Sequence, residues 1–134
     1  AGQISFPGGS IDPSDHDPVY TALREAREEI ALEETMVDVL GILDVTVLPS
    51  GFAVAPVLAV AERYPDLEAN PEEVEEIFSI PLSLACDLSQ YSQDYLIHEG
   101  QRRDFYVLNY GDYAIWGATA KMLRSLAKFI AKTS

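Results

Sequence analysis

Cysteine, histidine and basic residues are all scarce in this sequence of 134 residues. The single cysteine, Cys86, excludes an internal disulfide, and a chain with only His16 and His98 as histidines cannot complete a zinc site around it. The absence of disulfides favours a reducing, cytoplasmic setting. The longest apolar run, residues 52–61, contains Pro56 and has about half of the roughly twenty residues that a membrane-spanning helix needs. The sequence therefore predicts no transmembrane helix and no membrane partner.

Positive charge is the other shortage. The chain has 9 Lys and Arg against 22 Asp and Glu, which gives a formal net charge of -13. Such a field repels nucleic acid and anionic lipid, so we expect neither as a partner. A phosphorylated small molecule would need a local cation, and a metal held by surplus carboxylates would supply it.

The length fits one compact domain with a real core. Hydrophobic residues make up 48% and charged residues 23%, which is typical of a folded globular protein. The chain has no initiator methionine and opens on Ala1, shortly before a Gly8-Gly9 turn. We therefore expect a single domain over residues 1–134 that lacks the N-terminal residues of a longer protein.

The periodicity predicts an α/β (α+β) domain with two main helices. Asp17 before Pro18 is typical of an N-cap and first helical residue, and the apolar spacing predicts a helix over residues 18–32. A second helix is expected from Ile115 onward. The other expected elements are the end of a strand at residues 3–6, a β-hairpin from residues 37–48 and 52–61, a short strand at 74–80, a short helix at 82–88, and strands at 95–98 and 105–110.

An unusual group of glutamates lies near the end of the first helix. Glu25, Glu28 and Glu29 project from one helix face because they are three and four residues apart. The C-terminal end of a helix disfavours negative charge, and like charges four residues apart repel. A cation would relieve both effects, and a set of oxygen ligands selects a hard ion, with Mg²⁺ as the first choice and Mn²⁺ as the second. Arg24 lies four residues before Glu28 and is spaced to hold it. The glycine turn at Gly9 would either offer a carbonyl as a further oxygen ligand or let the backbone approach a phosphate.

These residues resemble the Nudix box, which runs Gly, five residues, Glu, seven residues, and then Arg-Glu-apolar-any-Glu-Glu-any-Gly-apolar. Gly9 and Asp15 stand at the first two positions here, and the remainder reads Arg24-Glu25-Ala26-Arg27-Glu28-Glu29-Ile30-Ala31-Leu32. Asp15 replaces Glu, the second spacer is one residue longer, and Ala31 replaces Gly. The resemblance implies the Nudix fold, a mixed β-sheet sandwiched between helices with a loop-helix-loop box, and metal-dependent hydrolysis of a diphosphate linkage in a nucleotide derivative.

Further segments look like the coenzyme A diphosphatase branch of that family. They are Gly2-Gln3-Ile4-Ser5-Phe6-Pro7-Gly8-Gly9, Asp12-Pro13-Ser14-Asp15, Phe78-Ser79-Ile80-Pro81-Leu82 and Ile115-Trp116-Gly117-Ala118-Thr119-Ala120. This likeness implies cleavage of coenzyme A or its thioesters to 4′-phosphopantetheine and adenosine 3′,5′-bisphosphate. The alternatives are a Nudix hydrolase for ADP-ribose, nucleoside diphosphate sugars or dinucleotide polyphosphates, and a non-catalytic Nudix-fold binding module. A homodimer is left open.

By resemblance, Glu25, Glu28, Glu29 and Gly9 are the expected metal ligands. Arg24 and Glu28 are the expected catalytic residues, with Glu28 acting either as a third ligand or as the group that orients or deprotonates the attacking water. A glutamate outside the box is a further expectation, with Glu72, Glu73, Glu75, Glu76 and Glu99 as candidates that are otherwise solvated surface residues.

Two more features admit a functional and a structural interpretation. Arg102 and Arg103 would either meet a phosphate or keep a loop soluble. Trp116 would either stack on adenine or lie in the core.

Overall fold

The computed structural model describes residues 4–10, 17–48 and 50–133. Their contacts group them into two compact units. The unit formed by residues 6–45 and 55–79 contains helix α1, Pro18–Ile30, and we call it the α1 unit. The unit formed by residues 1–5, 46–54 and 80–134 contains helix α3, Gly117–Thr133, and we call it the α3 unit. Each unit is described by itself.

Helix α1, Pro18–Ile30, is set by local signals at both ends. The Asp17 side chain accepts a hydrogen bond of 2.9 Å from the Tyr20 N–H, so the predicted N-cap is confirmed. The helix stops two residues before the predicted end, because Ala31 adopts the left-handed conformation with φ 58° and ψ 30°. The Ala31 N–H donates to the Arg27 carbonyl, which is the 5→1 bond of an αL cap, and the Leu32 N–H donates to the Ala26 carbonyl.

Strand β1, Asp38–Ile42, is also in the α1 unit and pairs antiparallel with the later strand β4, Val57–Val60. The α3 unit contains the short antiparallel pair β2, Thr46–Val47, and β3, Ala53–Val54. The residues predicted to form a hairpin therefore do pair antiparallel, but in two separate pieces. A 3-10 turn, Glu34–Met36, links α1 to β1.

Two predicted strand segments are wrong. Residues 74–79 form no strand, because the Val74 N–H donates to the carbonyl of Asn70 in a turn instead of joining a ladder. Ile80 likewise lies outside any strand. Residues 4–6 are not paired either, and Gln3, the first residue of that expected strand, lies outside the described residues.

The α3 unit is built on a three-stranded antiparallel sheet in the order β5–β6–β7. Its strands are β5 (Tyr91–His98), β6 (Gln101–Tyr110) and β7 (Tyr113–Trp116). Its helices are α2 (Leu82–Ala85) and α3 (Gly117–Thr133), and a 3-10 turn (Leu88–Gln90) precedes β5. The predicted helix start at Ile115 is wrong, since Ile115 is a buried residue of β7 and the helix begins at Gly117. Leu108 of β6 is fully buried, and the Tyr91 hydroxyl donates a hydrogen bond of 2.5 Å to the Ala85 carbonyl.

The α+β class is confirmed. All strand pairs within the described parts of the chain are antiparallel and lie in three small sheets, so the parallel pairing of a mixed sheet is not found there. No helix in those parts is long and apolar enough to cross a membrane.

Candidate functional site

Arg24 organises two of the three predicted glutamates on α1. Its Nη1 lies 3.2 Å from Glu25 Oε1 and 3.3 Å from Glu28 Oε2. Its Nη2 also donates to the Ser10 carbonyl at 3.4 Å, which fixes the guanidinium between the helix and the preceding loop. The Arg24 and Glu25 side chains are only 15% and 18% exposed, so this pair is screened less than a surface ion pair. Arg24 therefore holds Glu28, as predicted from the spacing, and Glu25 as well.

Glu29 faces the glycine turn instead. Its Oε2 accepts a hydrogen bond of 2.9 Å from the Gly8 N–H. The pKa of Glu29 is raised above its ordinary value, chiefly by burial and further by the negative charges of Glu25, Glu73 and Glu28, while the Gly8 N–H acts in the opposite direction. The anionic form of Glu29 is therefore disfavoured where it stands.

Gly9 makes room for Glu25. A Cβ on Gly9 would lie 2.6 Å from Glu25 Cδ, whereas a Cβ on the neighbouring Gly8 would meet nothing within 4 Å. The absence of a side chain at position 9 is thus what allows the carboxylate to sit against the turn. The structure brings the turn and the glutamates together, as the spacing of the motif predicts.

The three carboxylates do not form a closed ligand set. No group of three or more His, Cys, Asp or Glu side chains within the described ranges converges as a metal-binding cluster. The reason is visible in the contacts, because Glu25 and Glu28 turn to Arg24 while Glu29 turns to Gly8. Their donor chemistry still fits a hard divalent ion, since all are carboxylates and their charges repel one another at Glu29. Asp15 lies outside the described residues.

Among the glutamates considered outside the box, Glu73 is the one whose charge acts on Glu29. It belongs to the turn that follows Asn70, whose carbonyl accepts the Glu73 N–H at 3.0 Å. Glu73 is exposed, as are Glu72, Glu75 and Glu76 of the same stretch. The structure therefore singles out Glu73 from a run that the sequence could not separate.

Asn70 is a residue that the sequence analysis missed. Its N–H donates to the Glu29 carbonyl at 2.8 Å, and its Nδ2 donates to the Glu28 carbonyl at 3.4 Å. The only signal in the sequence is Asn70-Pro71, which is typical of a turn and points to no partner.

The other candidates lie in the α3 unit. Glu99 occupies the turn between β5 and β6 with a side chain that is 86% exposed. Arg102 pairs with Asp104 at 3.0 Å and lies over the Tyr95 ring, and Arg103 is an exposed residue of the same strand. Trp116 ends β7, is 47% exposed and packs against Phe105 at a centroid distance of 5.5 Å, so it is not a core residue.

An open cavity of about 430 Å³ lies in the α1 unit. It is lined by Tyr64, Pro65, Asp66, Leu67 and Ile77. The next residue along the chain, Glu68, donates its N–H to the Ile30 carbonyl at 3.0 Å. The cavity wall is therefore tied to the end of the helix that carries the glutamates.

Comparison with known proteins supports the motif. The profile of the NUDIX domain matches residues 1–98. The chain is 40% identical over 128 residues to a protein of Photorhabdus laumondii named Uncharacterized Nudix hydrolase NudL, covering 96% of this chain and 68% of that relative. Relatives of the same name in Yersinia pestis and Yersinia pseudotuberculosis are 41% identical over 128 residues, which is 96% of this chain and 64% of theirs. The chain thus spans about two thirds of the length of these relatives.

Proposed function

The chain belongs to the Nudix hydrolase family, and from this membership we propose that it hydrolyses a diphosphate linkage in a nucleotide derivative, with Mg²⁺ or Mn²⁺ as cofactor. One observation carries the proposal. Two carboxylates of α1, Glu25 and Glu29, lie against the same glycine turn, and Arg24 pairs with Glu25 and Glu28. That arrangement places negative charges near the C-terminal end of a helix, where the helix dipole makes them unfavourable.

Glu25, Glu29 and the Gly9 carbonyl would hold the ion, with Glu28 as a third ligand or as the group that orients the water. A bound divalent ion supplies neutralisation of charge on the phosphoryl oxygens and a lower pKa of the attacking water. The role of the protein is to position the carboxylates around the ion. Burial and neighbouring negative charge raise the pKa of Glu29, so a cation bound there would stabilise the carboxylate.

Coenzyme A or one of its thioesters is the proposed substrate, with 4′-phosphopantetheine and adenosine 3′,5′-bisphosphate as products. The support is the likeness of the segments around Gly9, Phe78 and Trp116 to the coenzyme A diphosphatase branch. The name of these relatives specifies a Nudix hydrolase without a substrate. The second candidate is a hydrolase for ADP-ribose, nucleoside diphosphate sugars or dinucleotide polyphosphates, which the box residues favour equally.

The test is a substrate panel on the full-length protein. Coenzyme A, ADP-ribose and diadenosine polyphosphate are incubated with Mg²⁺ or Mn²⁺, and the products are identified by mass. We expect coenzyme A to yield the two products named above. Turnover of ADP-ribose alone would overturn the assignment of coenzyme A as substrate but not the assignment as a hydrolase. Binding without cleavage of any compound would favour a non-catalytic module.

Two adjacent glycines give a matched pair of variants. Gly9→Ala places a Cβ against the Glu25 carboxylate, while Gly8→Ala places one in open space and keeps the N–H that Glu29 accepts. We expect Gly9→Ala to lower kcat by about a hundredfold, as for loss of a placed catalytic group, and Gly8→Ala to change it by less than about twofold. Equal activity of the two variants would contradict the assignment of Glu25.

A further inference from the structure

The last three carbonyls of α1 are all satisfied by one distant loop. Glu68 and Asn70 donate their backbone N–H groups to the carbonyls of Ile30 and Glu29, and the Asn70 side chain donates to the carbonyl of Glu28. Such carbonyls have no partner within a helix and need one from elsewhere. Residues 68–70 therefore act as a cap on the end of the helix that carries the glutamates.

Asn70 also organises the residues that follow it. Its Oδ1 accepts the Glu72 N–H at 3.1 Å, and its carbonyl accepts the N–H groups of Glu73 and Val74 at 3.0 and 2.8 Å. An asparagine side chain has both an acceptor oxygen and a donor amide, so it can serve the helix and the turn at the same time.

The two sets of bonds place Glu73 beside the α1 glutamates. The main chain of Glu28 and Glu29 is tied to Asn70, and the main chain of Glu72 and Glu73 is tied to the same residue. The charge of Glu73 reaches Glu29, and it helps to raise the Glu29 pKa.

We propose that Asn70 is a positioning residue, which fixes Glu73 relative to Glu28 and Glu29 and so sets the spacing of the carboxylates on which the reaction depends. This inference rests on the proposed diphosphate hydrolysis. Asn70 itself touches the main chain of the glutamates and acts on substrate only through them.

Variants of Asn70 separate its role in positioning the carboxylates from its role in stabilising the fold. Asn70→Ala removes the side-chain bonds to Glu28 and Glu72, while Asn70→Ser keeps a short acceptor for the Glu72 N–H. Asp87→Ala is the matched control, because Asp87 accepts the Ser89 N–H at 3.0 Å in the same kind of turn within the α3 unit. Asp87 also accepts the Ser89 hydroxyl at 2.6 Å, so each alanine variant loses two side-chain hydrogen bonds and their melting temperatures should fall by similar amounts.

The experiment measures kcat and KM on the substrate found above, and Mn²⁺ binding alone by electron paramagnetic resonance. We expect Asn70→Ala to lower kcat and Mn²⁺ affinity by roughly ten- to a hundredfold, as for loss of a residue that orients metal ligands, with KM nearly unchanged. Asn70→Ser should recover part of both, and Asp87→Ala should change neither.

Two results would overturn the inference alone, namely a parent enzyme that is active while Asn70→Ala matches it in kcat and Mn²⁺ affinity, or an equal loss in Asp87→Ala. A parent protein that binds Mn²⁺ but cleaves no diphosphate would instead refute the proposed function, and the inference with it.

Discussion

Ala31 stands where the Nudix box has glycine, yet its backbone keeps the conformation that glycine favours. With φ at 58° it is one of two non-glycine residues with positive φ in the described parts of the chain. A Cβ in this region costs about 1 kcal/mol. The departure from the motif thus changes the energy of the helix end and leaves its geometry intact.

Replacing Ala31 with Gly should therefore stabilise the protein. We expect Ala31→Gly to raise the free energy of unfolding by about 0.5–1 kcal/mol, measured by urea denaturation. The control is Ala26→Gly, five residues earlier and inside α1, which should lower it by about 1 kcal/mol or more because Ala26 is buried and helical. A destabilised Ala31→Gly would show that the helix end does not adopt this cap.

Glu29 is a residue whose charge opposes folding. Burial and the charges of Glu25, Glu73 and Glu28 disfavour its anion, so the neutral isostere Glu29→Gln should stabilise the metal-free protein at neutral pH. We expect a gain of a few tenths to about 1 kcal/mol in the presence of a chelator, since Glu29 is partly exposed and its interactions are screened.

Hydrolysis should be lost in the same Glu29→Gln variant, while the exposed loop variant Glu62→Gln should change neither quantity. Thermal melts in chelator and the diphosphate assay measure the two effects. A lower melting temperature for Glu29→Gln would mean that the bond from Gly8 outweighs the repulsion.

At the scale of elements, the β5–β6 hairpin turns through Glu99 and Gly100, both with positive φ at 51° and 77°. His98 pairs with Gln101, so the loop has two residues and matches the type I′ turn, in which Asn-Gly is the preferred pair. Glu99→Asn should raise the free energy of unfolding by about 0.5–1 kcal/mol. Urea denaturation measures it, and Glu99→Val, a β-branched residue at the same φ, should lower it.

The sequence predicted elements whose signals are local. Asp17-Pro18 is a start signal within the helix itself, and the alternation in residues 95–98 and 105–110 located β5 and β6, although both strands begin earlier. The sequence analysis missed β7 because this four-residue strand runs directly into α3, and its apolar residue Ile115 fits the helical spacing of the residues that follow. It misread residues 74–80 because the apolar and β-branched residues of this stretch cannot show that the Val74 N–H bonds to the Asn70 carbonyl.

The residues of the candidate site likewise fall into those that a local pattern predicts and those that it does not. The spacing of the box predicted that Glu25 and Glu29 share a helix face, because helical periodicity fixes which side chains lie together. It also linked that face to the glycine turn, where Glu25 lies against Gly9. The roles of Asn70 and Glu73 depend on a contact across 42 residues, which no local pattern encodes. Whether Glu25, Glu28 and Glu29 bind metal stays a prediction.

For the whole molecule, the net charge of -13 is the dominant electrostatic fact. Self-repulsion of this size destabilises the folded state, and salt screens it. The melting temperature should therefore rise between about 20 and about 200 mM NaCl, where the Debye length falls from roughly 20 to 7 Å. A fall over this range would mean that attractive pairs such as Arg24 with Glu25 outweigh the repulsion.

The two glycines of the turn differ in how freely they can vary. A side chain on Gly8 enters open space, and one on Gly9 meets the movable end of Glu25, which can swing away at little cost to folding. Selection on position 9 would thus act through turnover and leave expression untouched. In a saturation library sorted first for folded protein and then for hydrolysis, substitutions at position 9 would pass the first sort and fail the second, while many at position 8 would pass both.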